Sequence, residues 1–556
     1  MSRSKLIYLP LGGAGEIGMN MYVYGYGAKG KERFILVDCG VAFPDMDSTP
    51  GVDLIMADIA WLLARRDRLE AIFITHAHED HVGALSLLWD RLRAPVYARP
   101  FTAAIARLKM KERGHPEEKV KIVQPWPAET EAGPFRVRYL PVSHSIPESS
   151  ALVIDTPAGR LIHTGDFKLD ETPGVGEPWD PEIWREAAAG GVKALICDST
   201  NVFSPHPGRS EATLTDNLAA LVAGARGMVV ATTFASNVAR VKTLAEAGRD
   251  AGRSVVLLGR AMQRMVRVAE ETGVLTGFPA TTPVEDALQV PRENLMLLVT
   301  GSQGERRAAS AQLSRGKYLG LTLKEGDLFI FSSKTIPGNE RSVIQIMNAF
   351  SEMGVDVVEG DERYHVSGHA NRPDLEAVHD LVKPQMVIPM HGEHRHLREH
   401  ANLAISKGMA AAVAPNGTML DISGDAPEVL DHIEAGRTYL DGTVLIGAMD
   451  GVVRDRIRMA LNGHVTVGVI VDESDEALED AWVEVKGLPE KGASGAPLVD
   501  LIEDEVAEAL GQADERTVLD DDKLETLVRR RTRQAAVDLV GRKPEVTVLI
   551  SRLMAE

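Results

Sequence analysis

The chain has 556 residues, 44% hydrophobic and 25% charged. That is the composition of a globular protein long enough for two to four domains, and it excludes wholesale disorder or a collagen-like repeat. With 80 acidic against 61 basic residues the formal net charge is −19, which argues on its face against a polyanion partner unless a local basic groove or a bound metal reverses the field.

The N-terminal stretch MSRSKLIYLPLGGAGEIG has a short basic start, but glycines interrupt its apolar run at once, so no signal peptide is expected. No later run reaches the ~20 apolar residues of a spanning helix, and a cytoplasmic chain without a membrane partner is predicted. Cys39 and Cys197, the two cysteines, exclude a disulfide framework and a four-thiolate zinc site and fit a reducing compartment. Gly13-Ala14-Gly15-Glu16-Ile17-Gly18 matches GxGxxG. A dinucleotide fold would place a helix next. The following MNMYVYGYG is aromatic and alternating, so it predicts a strand, and the glycines read as a tight turn with no nicotinamide cofactor.

Up to about residue 200, short apolar or alternating runs predict strands at 34–38, 71–75, 135–140, 151–154, 160–163 and 194–197, with a helix-period run over 52–65. Strands mixed with helices predict a layered α/β domain. From 201 to 375 the pattern becomes regular alternation. Helices are expected at 214–224, 237–251 and 340–353, and strands at 227–233, 254–258, 295–300 and 327–332. This predicts a separate parallel-sheet domain. Residues 376–435 return to strand–turn chemistry, and 436–464 read as a connector. The tail predicts a small α/β domain over 465–556, with strands at 465–471, 481–485 and 545–552 and helices at 497–510 and 522–539. Its Arg529-Arg530-Arg531 run reads as a solvated helix face. No fixed-period repeat is visible, so a solenoid is not expected.

His76-Ala77-His78-Glu79-Asp80-His81 directly follows the apolar run AIFIT. Three imidazoles and two carboxylates on one strand-end turn are costly packing without a task, and the mixture suits one or two divalent metals. Single ligands at other strand ends would complete the site: His144 in PVSHS, Asp166 in HTGD and His391 in PMHGE. Each alone is bland; their shared place just past an apolar strand makes the set informative. Asp38, in LVDCG, holds the same kind of position and is expected to orient a ligand imidazole rather than bind metal.

HAHEDH with PVSHS, HTGD and Asp38 resembles the metallo-β-lactamase fold superfamily. The long segment between CDSTN (Asp198) and His391 resembles the inserted domain of the β-CASP nucleases, whose three extra motifs map onto Asp198, His369 in HVSGHA, and His391. The finer likeness is to the bacterial ribonuclease J family, carried in order by FPDMDSTPGVDL, GDFKLD, CDSTN, TFASN, TGSQGE, SSKTIPGNE, HVSGHA and PMHGEHRH, and it covers essentially the whole chain.

That resemblance implies an αββα metallo-β-lactamase sandwich at 1–200 and 376–435, an inserted β-CASP α/β domain at 201–375, a linker at 436–464 and a C-terminal α/β domain at 465–556. It implies two zinc ions, with manganese or magnesium as alternatives for activity. His76, His78 and His144 would hold one, Asp80, His81 and His391 the other, and Asp166 would bridge them. Such a pair activates water and clamps a phosphodiester. His369 would be the general acid for the leaving 3′-oxygen, with Asp198 orienting it. His365, Val366, Ser367, Gly368 and His369 would contact the RNA backbone, and Ser332 and Ser333 lie in a similar donor-rich loop, as does Gly301-Ser302-Gln303-Gly304. The last two read equally well as plain strand–helix connections. Lys168, Arg240, Arg260, Lys334 and Arg395 are expected to line a basic cleft.

The implied activity is 5′→3′ exonuclease action from a monophosphorylated end plus internal cleavage, in ribosomal RNA maturation and messenger RNA decay. Implied partners are RNA, a second or further copies in a homodimer or homotetramer, and RNA-degradation or ribosome-associated proteins. Asp53 is a candidate ligand for an additional structural cation. Two rival classes exist. A lactone or thioester metallohydrolase leaves the inserted domain and HVSGHA without a purpose. A non-catalytic RNA-binding subunit would be favoured by a substituted ligand, and none of the seven is substituted.

Overall fold

The computed structural model describes residues 4–336, 338–472 and 481–553. It divides into two compact units: Met1–Ala42 with Met56–Arg437, and Phe43–Ile55 with Thr438–Glu556.

The larger unit is built on two facing sheets. The first has eight strands and holds Lys5–Gly12, Met21–Gly27, Arg33–Val37, Leu69–Phe73 and Val96–Ala98 in adjacent places. The second has seven and includes Phe135–Pro141, Ser150–Thr156, Gly159–His163, Ala194–Asp198 and Met386–Met390. Alternation sets which face each side chain takes. Tyr8, Tyr24, Ile35, Val37 and Phe73 from the first sheet meet Phe135, Val137, Leu152, Ile196 and Ile388 from the second in one buried layer. The intervening residues of the second sheet, Leu140, Val153, Ile162, Leu195 and Val387, pack outward against Trp184, Leu375, Val378 and Leu403 of the covering helices.

Direction matters more for the site than size. Gly159–His163, Ala194–Asp198 and Met386–Met390 run parallel. Phe135–Pro141 runs the same way, because two successive antiparallel pairings reverse it twice. Arg33–Val37 and Leu69–Phe73 are parallel in the other sheet. The turns after these strands carry Asp38, the HAHEDH run, His144, Asp166 and His391, and Asp198 ends its own strand.

The inserted domain is a five-stranded, all-parallel sheet. It contains Ser254–Leu258, Leu295–Val299, Val229–Thr232, Leu328–Phe331 and Asp356–Val358 in that spatial order. Apart from the edge strand Asp356–Val358, its strands are buried on both faces and so read as continuous apolar runs. Helices Thr215–Gly224, Val238–Asp250 and Arg260–Glu271 cover one face, and Ala309–Ser314 and Glu340–Glu352 the other.

Three local readings of the sequence differ from the structure. The helix-period run over 52–65 is a strand, Leu54–Ala57, followed by one helical turn, Ala60–Leu63. Ile55, Met56 and Ala57 are buried in succession, a pattern that fits either period, and Asp58 Oδ1 accepts from Ala60 N–H at 2.8 Å, which starts the turn. The histidine-rich stretch after His391 continues as helix His394–Ser406 with Leu397, His400, Ala401 and Ala404 buried. The segment 436–464 carries the hairpin strands Arg437–Asp441 and Val444–Gly447 and helix Val452–Asn462.

In the smaller unit, strands Trp482–Lys486, His464–Val471 and Glu545–Arg552 form a three-stranded sheet. Helices Leu498–Gly511 and Asp521–Val540 pack on it through Ile502, Val506, Leu524 and Val528. Arg529 and Arg531 pair with Glu525 and Glu505, as a solvated helix face would. Asp53 Oδ2 accepts from Gly442 N–H at 2.8 Å. Among the described residues it belongs to no cluster of three metal-ligating side chains.

Candidate metal centre

The strand-end turns bring all seven expected ligands together. His76, His78, His144 and Asp166 offer ligand atoms within 4.8 Å of one another, and so do Asp80, His81, Asp166 and His391. Asp166 belongs to both groups. Its Oδ2 lies 3.9 Å from His76 Nε2, 3.8 Å from His144 Nε2 and 3.2 Å from His81 Nε2.

Neighbouring groups fix which nitrogen of each ring faces inward. His144 Nδ1–H donates to the Gly368 carbonyl at 2.6 Å, turning Nε2 toward His78 Nδ1, 3.1 Å away. His78 Nδ1 also lies 3.1 Å from His76 Nε2, and His78 Nε2 contacts Ser236 Oγ of the inserted domain at 3.1 Å. His81 Nδ1–H donates to Asp38 Oδ2 at 2.7 Å, which aims its Nε2 at Asp166. Asp38 is fully buried and also accepts from Thr75 N–H at 2.8 Å and from Thr75 Oγ. It therefore fixes the orientation of the His81 imidazole. His391 Nδ1–H donates to Asp166 Oδ1 at 2.6 Å, and its buried Nε2, with no hydrogen-bond partner, stands 3.4 Å from Asp80 Oδ2.

The electrostatics describe a cation site. Burial holds His76 and His144 well below the usual imidazole range and His78 at about 4, so their lone pairs are exposed to the centre. Burial alone would lower His81 and His391, but Asp166 and Asp80 outweigh it; His391 is pushed up to about 10 and His81 rises well above its ordinary value. Converging imidazole lone pairs, a shared carboxylate and an unpartnered His391 Nε2 fit divalent metal.

His369 stands beside this centre, its Nδ1–H donating to Asp198 Oδ2 at 2.8 Å. Burial alone would lower its pKa, but the Asp198 charge outweighs this and raises it. The HVSGH loop is pinned from below: Asn201 Nδ2 donates to Ser367 Oγ at 2.8 Å and to the His369 carbonyl at 3.3 Å. Gly368 must be glycine, because a Cβ there would lie 2.7 Å from Ser145 Oγ and 2.9 Å from the His144 ring. Val366 is buried, and His365, lowered by burial and Arg240 to about 3, is neutral. Ser332 is buried with its hydroxyl donating to Tyr364 O at 2.6 Å, and Ser333 Oγ is buried without a partner. In the 301–304 loop, Gln303 Oε1 accepts from Ile336 N–H at 2.8 Å and braces the neighbouring loop.

Two of the cations expected to line a cleft do not. The Arg240 side chain is 0% exposed and that of Lys168 4%, and both are tied to buried carboxylates, Glu211 and Asp170. Two polar residues that touch the centre were not anticipated. Asn20 Nδ2 contacts Asp80 Oδ2 at 3.3 Å and His81 Nε2 at 2.9 Å, and Tyr22 holds Asn20 through Oδ1. Ser236 is the other. Asn20 follows the glycine turn and Ser236 lies in TFASN, so position beside a motif was the only signal.

Comparison with known proteins decides the family. Residues 15–219 match the metallo-beta-lactamase superfamily, 226–350 the ribonuclease J beta-CASP domain, 354–415 the Zn-dependent metallo-hydrolase RNA specificity domain and 451–553 the ribonuclease J C-terminal domain. Ribonuclease J of Sinorhizobium meliloti is 41% identical over 99% of this chain and 98% of its own length. The chain belongs to the ribonuclease J family. It is accordingly a metal-dependent hydrolytic ribonuclease with a metallo-β-lactamase domain, an inserted β-CASP domain and a C-terminal domain. Ribonuclease J of Mycolicibacterium smegmatis is 36% identical, covering 96% of this chain and 95% of its own. A solved structure from Enterococcus faecalis, 18% identical, superposes with a TM-score of 0.52 over 77% of this chain and 100% of its own, and shows the fold alone. Among the described residues no helix is long and apolar enough to cross a membrane.

Proposed function

We propose that this ribonuclease acts 5′→3′ from monophosphorylated RNA ends and also cuts internally, using two zinc ions. His76, His78 and His144 would hold one, Asp80, His81 and His391 the other, with Asp166 between them. The observation that carries this reading is the place of Asp166 in both ligand groups, with its Oδ2 facing three imidazoles. Two dications bound there would lower the pKa of water and offset phosphate charge, and manganese or magnesium could serve the same end.

The rest is the work of the chain. Asp38 and Gly368 hold His81 and His144 in the tautomers that point Nε2 inward. The HVSGH loop, braced by Asn201, offers Ser367 and backbone N–H groups to phosphate oxygens, with His365 and the Ser332-Ser333 loop behind it. Water attacks phosphorus in line and releases one proton to solvent, the bond from phosphorus to the 3′-oxygen breaks, and His369 supplies the proton that oxygen takes. Asp198, hydrogen-bonded to His369 Nδ1, fixes the ring so that Nε2 faces the reaction. The cell role would be ribosomal RNA maturation and messenger RNA decay in the cytoplasm, as a homodimer or homotetramer with RNA-degradation or ribosome-associated proteins as partners.

The test is product analysis on 5′-labelled RNA carrying one or three 5′ phosphates, with zinc or manganese and an Asp80→Ala, His81→Ala control. Labelled mononucleotide from the monophosphate form, with internal fragments from both forms and neither in the control, is expected. Internal fragments alone would remove the end preference. No cleavage under any metal condition would sink the reading.

A further inference from the structure

Phe203 is 51% exposed, although its neighbour Val202 is fully buried. Single exposed apolar side chains are ordinary, but this one is dressed on the surface by two cationic or aromatic groups. The His396 ring lies 5.3 Å from it, centroid to centroid, at 61°, and the Arg395 guanidinium carbon stands 5.5 Å over its centroid. Arg395 is itself exposed, with Nε donating to Glu393 Oε2 at 3.0 Å. His396 is buried, and its Nδ1 has no hydrogen-bond partner.

The cluster is tied to both walls of the metal centre. Phe203 ends the segment in which Asp198 holds His369, Thr200 Oγ donates to the His391 carbonyl at 3.1 Å, and Asn201 holds the HVSGH loop. On the other wall, Gly392 follows His391, and a Cβ there would lie 2.8 Å from His396 Cβ. A flat aromatic surface with a guanidinium beside it is the recognition chemistry of an unstacked nucleobase and its phosphate, and it tolerates any base.

We propose that Phe203, with Arg395 and His396, is a stacking platform for one base of the single-stranded RNA substrate next to the scissile phosphate. This rests on the ribonuclease reading above.

The test uses the full-length metal-loaded enzyme and 5′-monophosphorylated single-stranded RNA, intact or with one abasic residue scanned along its first positions. KM and kcat are measured for wild type, Phe203→Ala, Phe203→Leu and Phe203→Trp. Phe203→Ala is expected to raise KM about thirtyfold, the middle of the range for one stacked base, with the change in KM rather than kcat; Phe203→Trp restores it and Phe203→Leu does not. One abasic position should weaken wild type and leave Phe203→Ala unaffected. Equal losses for both proteins at every abasic position, or full rescue by Phe203→Leu, would overturn the platform. Equilibrium binding of the same RNAs, followed by fluorescence anisotropy, gives the same comparison without cleavage. Absence of cleavage by wild type would therefore count against the ribonuclease reading, while the binding comparison still decides the platform. A changed oligomeric state in Phe203→Ala with unchanged RNA binding would assign the residue to a contact between copies and also overturn it.

Discussion

Arg240 and Glu211 form a two-pronged ion pair with both side chains buried. Arg240 Nε and Nη2 donate to the two carboxylate oxygens, the second at 3.0 Å. The remaining nitrogen, Nη1, donates to the Ser332 carbonyl at 2.8 Å and lies 3.3 Å from His365 Nδ1. One guanidinium thus fastens the turn at 211, the end of strand Leu328–Phe331 and the start of the HVSGH loop. Removing one partner of a buried pair leaves an uncompensated charge, a cost of about 3–5 kcal/mol. Arg240→Met and Glu211→Gln should each lower thermal stability and kcat/KM together. Arg240→Lys should not rescue, because an ammonium cannot make both prongs. The double variant Arg240→Met, Glu211→Leu should regain most of the stability and little of the activity, measured by thermal melts and RNA cleavage. A single variant with wild-type melting would contradict this account.

Asp38 hydrogen-bonds His81 Nδ1, so on the proposed ligand set it would act on metal through that ring. Asp38→Asn keeps an oxygen for Thr75 and loses the charge that holds the imidazole. Loss of such a partner typically weakens metal binding by about 10–100-fold. Competition with a chromogenic chelator should show one metal per chain weakened and the other retained. Complete stripping of the wild type should lower its melting temperature, and added zinc should restore it, since binding to the native state stabilises by mass action. Two tight metals in Asp38→Asn would refute the orienting role.

Far from the centre, Asp155 tests the sign of a linkage. Burial alone would raise its pKa, but Arg160 and Arg138 outweigh it and hold the carboxyl below the usual range. Arg160 Nε and Nη2 donate to it at 2.7 and 3.1 Å. A folded-state pKa below the unfolded one contributes stability that is fully present above the unfolded value of about 3.9 and is lost as pH falls through the folded value. Asp155→Asn should therefore be less stable than wild type by about 1 kcal/mol at pH 7, and the two should converge below pH 4. Denaturant melts across that window measure it; a constant gap would show that the loss is packing rather than charge.

The cluster was legible because the residues expected to form it obey one rule: each is a titratable residue at or just past the end of an apolar strand. Asp166, His144 and His391 could be found that way without knowing which strands are neighbours. Asn20 could not, since an amide beside a glycine turn has no chemistry of its own until Asp80 and His81 arrive from 60 residues away. Arg240 and Lys168 were legible as cations and illegible as buried ones, because burial depends on Glu211 and Asp170 lying against them. Helix His394–Ser406 was hidden by its polar first turn, and strand Leu54–Ala57 by an apolar run that suits both periods.

His369 and Asp198 should behave as one catalytic unit. Asp198 accepts the Nδ1 proton of His369 at 2.8 Å, and its other oxygen accepts from Thr200 N–H at 2.9 Å, so the carboxylate is fixed and fixes the ring in turn. If His369 delivers the proton to the leaving oxygen, His369→Gln should lower kcat by about 10²–10⁴-fold. Asp198→Asn removes only the orienting charge and should cost less. Because Asp198 acts through His369, the double variant should be no slower than His369→Gln alone, a departure from additivity typical of groups that work together. Metal content should be unchanged in His369→Gln, since that ring is not among the seven proposed ligands. Losses that multiply in the double variant would show that Asp198 touches the reaction by a separate route, and a drop in bound metal would place it among the ligands instead.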